Sequence, residues 1–244
     1  MSSPALNIRA RFVDPANSAP QAPFTSWSTA ATTIQDAVDA AGIGELVLVA
    51  DGIHASGSRV VTGDLGNRIV LSKSVTVTSR FGPTNAVIEG QKDLVGPNGN
   101  GNGALRAVWW DNWTGLSGFT IRSGATRTSG TLISHQSGGG IAGLSHNAVV
   151  SGCLIVSNAA NHLGGGAYGV RLTDCVVAGN TAVFYGGGVS DGVLDRCRVQ
   201  DNSGVVGGVN RSTIRNSLVV RNTGTTSGGT MGVVMFHCVI VEKQ

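Results

Sequence analysis

Gly164-Gly165-Gly166-Ala167-Tyr168-Gly169-Val170-Arg171-Leu172-Thr173-Asp174-Cys175-Val176-Val177-Ala178-Gly179-Asn180 is one unit of a repeat, and the repeat decides the fold. The same order of glycines, apolar run, cysteine and asparagine starts at Gly138, reaching Cys153 and Asn158. It starts again at Gly186, reaching Cys197 and Asn202. A further pass from Gly207 carries Ser217 in the cysteine's place before Asn222, and a last one from Gly228 reaches Cys238. The cysteine column steps by 22, 22, 20 and 21 residues. A short, constant period built of alternating runs and tight turns marks a solenoid.

Three apolar series run through each unit. One sits three residues before the cysteine column: Val150, Leu172, Leu194, Ile214 and Met235. A second pairs each column position with the residue two further on, as in Cys175 with Val177. A third follows the glycines: Ile141, Ala167, Val189, Val209 and Thr230. Three inward series per turn describe a three-sided tube of parallel strands. Asn158, Asn180, Asn202 and Asn222 fall at strand ends, where stacked side-chain amides bond from coil to coil and Asn tolerates the left-handed conformation. Cys153, Cys175, Cys197 and Cys238 read as buried thiols acting as small hydrophobes, because stacked Cβ vectors are badly aimed for a disulfide.

The expected fold is all-β: a single-stranded, right-handed parallel β-helix with a short N-terminal capping α-helix. Residues 1–30 read as an N-terminal arm and 31–244 as the β-helix domain, with regular coils over 138–244. Thr32 with Gln35 makes a capping box for a helix ending at Gly42, with Ile34, Ala37, Val38 and Ala41 on one face. Strands are expected at 45–50, 68–71, 75–78, 86–88, 104–110 and 119–121, with Ser123 in the asparagine's place. Charged residues are 13% and the net charge is +3, too little to argue for nucleic acid. No apolar run is long enough for a membrane span. The opening Met1–Asn7 shows no signal-peptide pattern, and zinc is disfavoured by the absence of CxxC or paired histidines.

The glycine clusters at 138–141, 164–167 and 186–189, with the segments ending at the four asparagines, resemble the GGA[I/V/L/Y] and FxxN motifs of chlamydial polymorphic membrane proteins. The front of the chain, from Thr33–Val38 to Val47–Gly52, looks like the cap and first coil of pectate-lyase-like folds. Such a resemblance implies an extracellular or cell-surface β-helix, with homotrimers familiar among its members. It leaves function open, because the superfamily holds enzymes and adhesins alike. The array stops at Glu242-Lys243-Gln244 before any capping element, which reads either as the end of a fragment or as an assembly edge that pairs with another chain.

Lyases of this kind need a basic residue and a calcium held by acids; hydrolases need two or three acids on one face. Asp174, Asp191, Asp195 and Asp201 form no outward column; Asp195 either points inward by parity or sits at a corner, and Asp191 lies near a turn. Arg196, Arg198 and Arg215, with Arg171, Arg211 and Arg221 nearby, form a basic groove that grips uronate carboxylates, or else Arg196, Arg198 and Arg221 pair with Asp174 and Asp201 on neighbouring coils. Trp109, Trp110, Asp111 and Trp113 either stack on sugar rings or fill the core. His54, His135, His146, His162 and His237 are scattered in the repeat frame. Outward positions such as Leu154, Val176, Leu218 and Val239 are apolar, so either the insertions at 91–103 and 124–137 or a second subunit should cover them. The expected function is a non-catalytic β-helix module that binds a polysaccharide or cell-surface ligand and self-associates. It needs no cofactor. The alternative is a polysaccharide lyase or glycoside hydrolase acting on an acidic polysaccharide along one wall, with calcium if a lyase.

Overall fold

A computed structural model describes residues 9–110 and 114–241. The chain winds as a parallel β-helix with three walls. The first wall stacks nine strands from Ala10–Val13 and Leu46–Val49, through Val149–Ser151, Arg171–Thr173, Val193–Asp195 and Thr213–Arg215, to Val234–Phe236. The second runs through eight strands from Gly52–His54 to Val239–Val241, including Leu154–Val156, Val176–Ala178, Arg198–Gln200 and Leu218–Val220. The third also has eight, among them Leu105–Trp110, Ile141–Gly143 and Ala167–Tyr168. A short four-stranded row, starting at Ala159–Ala160, bridges the second and third walls. Neighbouring coils pair in parallel without slippage along the three walls of the repeats, for example Val176↔Arg198 and Val177↔Val199.

The interior holds the three expected series. Val150, Leu172, Leu194 and Ile214 are fully buried, as are Ile155, Val177, Val199 and Val219, and Ile141, Ala167, Val189 and Val209. Only in the last coil are the corresponding residues open: Met235 is 46% exposed. The third glycine of each cluster lets the coils close up. A Cβ on Gly140, Gly166 or Gly188 would come within 2.5, 2.7 or 2.8 Å of the next coil's carbonyl oxygen. Cys153, Cys175 and Cys197 are buried free thiols; the hydrogen-bonded neighbour Cys153 pushes Cys175 up to about 12, and its bond to Cys175 together with burial pushes Cys197 up as well. Cys238, in the last coil, is only half-buried.

At the N-terminal end α1 (Ile34–Ala40) covers the tube. Its cap is Thr33, whose hydroxyl accepts from the Asp36 amide at 3.1 Å, one residue later than the expected Thr32–Gln35 box. Gln35 is spent elsewhere. Its amide accepts from Val70 N at 2.7 Å and donates to Val70 O at 3.3 Å, tying the helix to the third wall. The helix stops at Ala40, and Gly42 N donates to Glu45 rather than forming a left-handed end. Strand register also places Gly124, not Ser123, at the asparagine position; Ser123 matches Ser157, both with positive φ. Neither long insertion covers the second wall. Gln91 bridges Leu105, Gly101 N donates to Thr126 O, and Gly124 O and Gln136 O accept from Ala159 N and His162 N. Both insertions therefore lie over the third wall and the short row, and Leu154, Val176 and Leu218 remain half-exposed.

His54 shows one consequence of burial near this cap. It is 4% exposed, with Nε2–H donating to Ala50 O at 3.1 Å, and burial lowers its pKa. The unfolded chain takes up this proton near the ordinary value of 6.5, whereas the native state resists until lower pH. Stability is therefore expected to fall as pH drops below 6.5, and His54→Gln should remove part of that loss. Urea midpoints at neutral and mildly acidic pH measure it.

Candidate functional site

At the corners the chain turns through a single left-handed residue, and these residues stack. After the first wall come Asp174, Arg196, Asn216 and His237; after the second, Ser157, Asp201 and Arg221; after the third, Asp191 and Arg211, all with φ between 47 and 57°. Such a residue resets the strand alternation. Asp195 therefore faces outward, half-exposed, not inward as parity alone requires.

Corner residues on successive coils pair as carboxylate and guanidinium. Arg196 Nε and Nη2 donate to Asp174 at 2.8 and 2.9 Å. Arg211 binds Asp191 at 3.0 and 2.6 Å, and Arg221 binds Asp201 at 2.8 and 2.6 Å. The hydrogen bond from Arg196 holds the Asp174 carboxyl below its ordinary range. Asp195 accepts from Arg196 and, at 2.9 Å, from Asn216. Each of the four repeat acids is thus held by a cation or amide. Among the described residues no three His, Cys, Asp or Glu side chains converge on a metal-sized site. This donor set does not fit a calcium cluster or a two-acid hydrolytic pair.

Arg198 differs. It projects from the second wall and hydrogen-bonds Gln200 on its own strand, not the acids of its neighbours. With Arg196, Asn216 and His237 it lines a groove of ≈ 760 Å³ whose apolar side is Val176, Leu218 and Val239. Arg215 lies round the corner on the first wall, its guanidinium 5.3 Å from the Phe236 ring centre. The three arginines therefore do not share one wall.

Of the two alternatives for the tryptophans, Trp109 and Trp110 take burial over sugar stacking. Trp109 is 3% exposed and Trp110 is fully buried, so neither offers a face to a sugar. Trp110 fills the tube, whereas Trp109 points outward and is covered by loop residues Val61, Leu65 and Ser134. Asp111 and Trp113 lie outside the described residues.

Two features escaped the sequence reading. Arg106, 1% exposed, stacks 5.0 Å from Trp109 and donates to Gly138 O, Ser134 O and Ser137 O, each at 2.8 Å, and to Asn67 Oδ1 at 2.9 Å. Nearby, the His135 ring occupies the space a side chain at Gly63 would need: a Cβ there would sit 1.7 Å from Nε2. Its Nδ1 accepts from Thr131 Oγ1 at 2.8 Å, which ties the loop together. Nothing local in the sequence announces a buried arginine whose partners are distant carbonyls.

The architecture has solved counterparts. Pectate lyase Pel9A superposes with a TM-score of 0.55 at 14% identity, over 88% of this chain and 55% of that one. The fold is the pectate-lyase-like parallel β-helix. Pectin methylesterase PemA from Erwinia chrysanthemi superposes with a TM-score of 0.51 at 11% identity, over 90% of this chain and 68% of that one. A pectin methylesterase in complex with a hexasaccharide gives 0.50 at 12% identity, again over 90% and 68%. At these identities the likeness is one of fold. No family model matches the sequence, and no curated protein matches it either.

Proposed function

We propose that the protein is a non-catalytic, extracellular or cell-surface β-helix module that binds an acidic polysaccharide in the groove on the second wall. The observation that carries this is Arg198, a guanidinium bonded to neutral Gln200 and set among Val176, Leu218 and Val239. A uronate ring offers a carboxylate for the planar fork and an apolar ring face for the valines and leucine. Arg196 sits at the same rim but is engaged by Asp174, and Arg215 would meet only a chain that bends over the corner. The fold likeness to proteins named for pectin supports the substrate class. A lyase or hydrolase reading is less well supported, because Asp174, Asp191, Asp195 and Asp201 are all engaged by arginine or asparagine.

Retention on immobilised polygalacturonate is expected to weaken about tenfold or more in Arg198→Ala, the scale of one hydrogen bond to a charged group. It should also weaken with added salt. New chain ends appearing during the incubation would move the reading to an enzyme, and unchanged retention would remove the groove from it. Self-association through the same half-exposed apolar face would occlude the groove, so the assay is run with sedimentation at matched concentration.

A further inference from the structure

The repeat is broken at one place over the third corner. Ala167 and Leu172, Val189 and Leu194, and Val209 and Ile214 all stand five residues apart, but Ile141 and Val150 stand nine apart. The four extra residues, Leu144 to Asn147, form an arm. Its His146 crosses the next coil at Gly169 and donates from Nε2 to Asp191 O, two coils on, at 2.6 Å. The crossing is open because the corner of the intervening coil is a glycine, Gly169, at φ 68°.

The arm makes a cleft. On one side of His146 a cavity of ≈ 200 Å³ lies between Ile133, Leu144, Ser145, Tyr168 and Asp191. On the other side one of ≈ 380 Å³ continues past Asp191 to Arg211 and Thr213. Tyr168, on the third wall, is 9% exposed, and burial, then the neighbouring Asp191 carboxylate, raises its phenol pKa. Leu144 and Ile133 are 61% and 43% exposed, apolar surface left open beside polar groups. The acid of the cleft is neutralised, since Arg211 binds both Asp191 oxygens.

We infer that this cleft is a second binding site, for a residue of a neutral sugar chain. A pyranose ring presents an apolar face that fits Leu144 and Ile133 and hydroxyls that fit Tyr168 Oη, Ser145 Oγ and the outer lone pairs of Asp191. The Asp191–Arg211 pair gives an acidic sugar no uncompensated cation and a basic one no uncompensated acid. The site lies on the third corner, away from the second-wall groove, and stands whichever way the reading of that groove falls.

The test is calorimetric titration of the full chain with cellohexaose, mannohexaose and β-1,4-galactohexaose, each with and without excess polygalacturonate. One of the three is expected to bind saturably, with affinity unchanged by polygalacturonate. Tyr168→Phe keeps the buried ring and should cost about tenfold, one hydrogen bond's worth. His146→Ala, at an exposed position, should release the arm and weaken binding at least as much, with the circular dichroism of the helix retained. Absence of saturable binding by all three sugars overturns the inference, as does binding that survives both substitutions or is displaced by polygalacturonate.

Discussion

Asn180→Ala is expected to unfold at a markedly lower urea concentration than the wild type, with a loss of ~3 kcal/mol or more. Asn180 is fully buried and works in two directions. Its Oδ1 accepts from the Asn158 amide at 2.9 Å and from Asn158 Nδ2 at 3.0 Å. Its Nδ2 donates to Ile155 O and to Asn202 Oδ1, both at 2.9 Å. Alanine leaves two donors of Asn158 without partners or water, and vacates one lone-pair site each on the Ile155 carbonyl and Asn202 Oδ1. Each such group costs ~1–3 kcal/mol when buried. Coil-to-coil contacts set solenoid stability, so a break in the middle of the column uncouples the coils on either side. Asn222→Ala should cost less. Asn222 accepts from Asn202 in the same way, but its Nδ2 reaches Val199 O alone, at 3.0 Å. Equal losses for the two variants would show that the column does not act cooperatively.

The architecture is legible because one physical constraint repeats. Three apolar series and a glycine column recur through five passes of the sequence and an asparagine column through four, so the passes reinforce one another. The site is less legible because it lies where repetition fails. A corner residue in the left-handed region is announced by glycine at 152 and 179, but by Asp174, Arg196, Asp201 and Arg221 at equivalent corners. Read as strand, these residues carry the alternation one step too far, so parity alone would turn Asp195 inward, whereas the corner beside it turns it out. Cross-coil pairing explains why arginines and aspartates cluster in this stretch, and the pairs are visible once the 20- and 22-residue offsets are applied. Trp109 fails for another reason. Alternation correctly turns it away from the tube, and only the path of distant loops decides that this outer face is dry. The arm at 144–147 could have been found by measuring all the intervals, because the cysteine spacing alone passes over it.

Arg106 carries the other large effect. Arg106→Met should lose ~3 kcal/mol or more, because four buried acceptors are left unpaired at ~1–3 kcal/mol each. The guanidinium is fully enclosed, and burial presses its pKa down to about 9, still high enough for it to be charged at neutral pH. Carbonyl dipoles, not a carboxylate, compensate that charge, and three of them come from the 124–138 stretch: Ser134, Ser137 and Gly138. Methionine matches the apolar stem and retains contact with Trp109, so the loss isolates the polar half of the interaction. Three carbonyls and Asn67 Oδ1 would be left facing an apolar side chain, and the insertion would be held chiefly by Thr126 on Asn100 and Asn161, Arg127 on Asn102 and Asp64, and Gln136 on Asn161 and His162. Arg106→Lys should restore only part of the loss, because a compact ammonium cannot span acceptors arranged around a planar fork. Chemical denaturation reads the stability, and limited proteolysis reads the loop. Cleavage within 124–137 should accelerate in Arg106→Met under conditions where the regular coils stay protected. A variant with wild-type stability and an uncut loop would show that the insertion is anchored without the arginine. Faster cleavage with unchanged global stability would confine its role to the loop that covers Trp109.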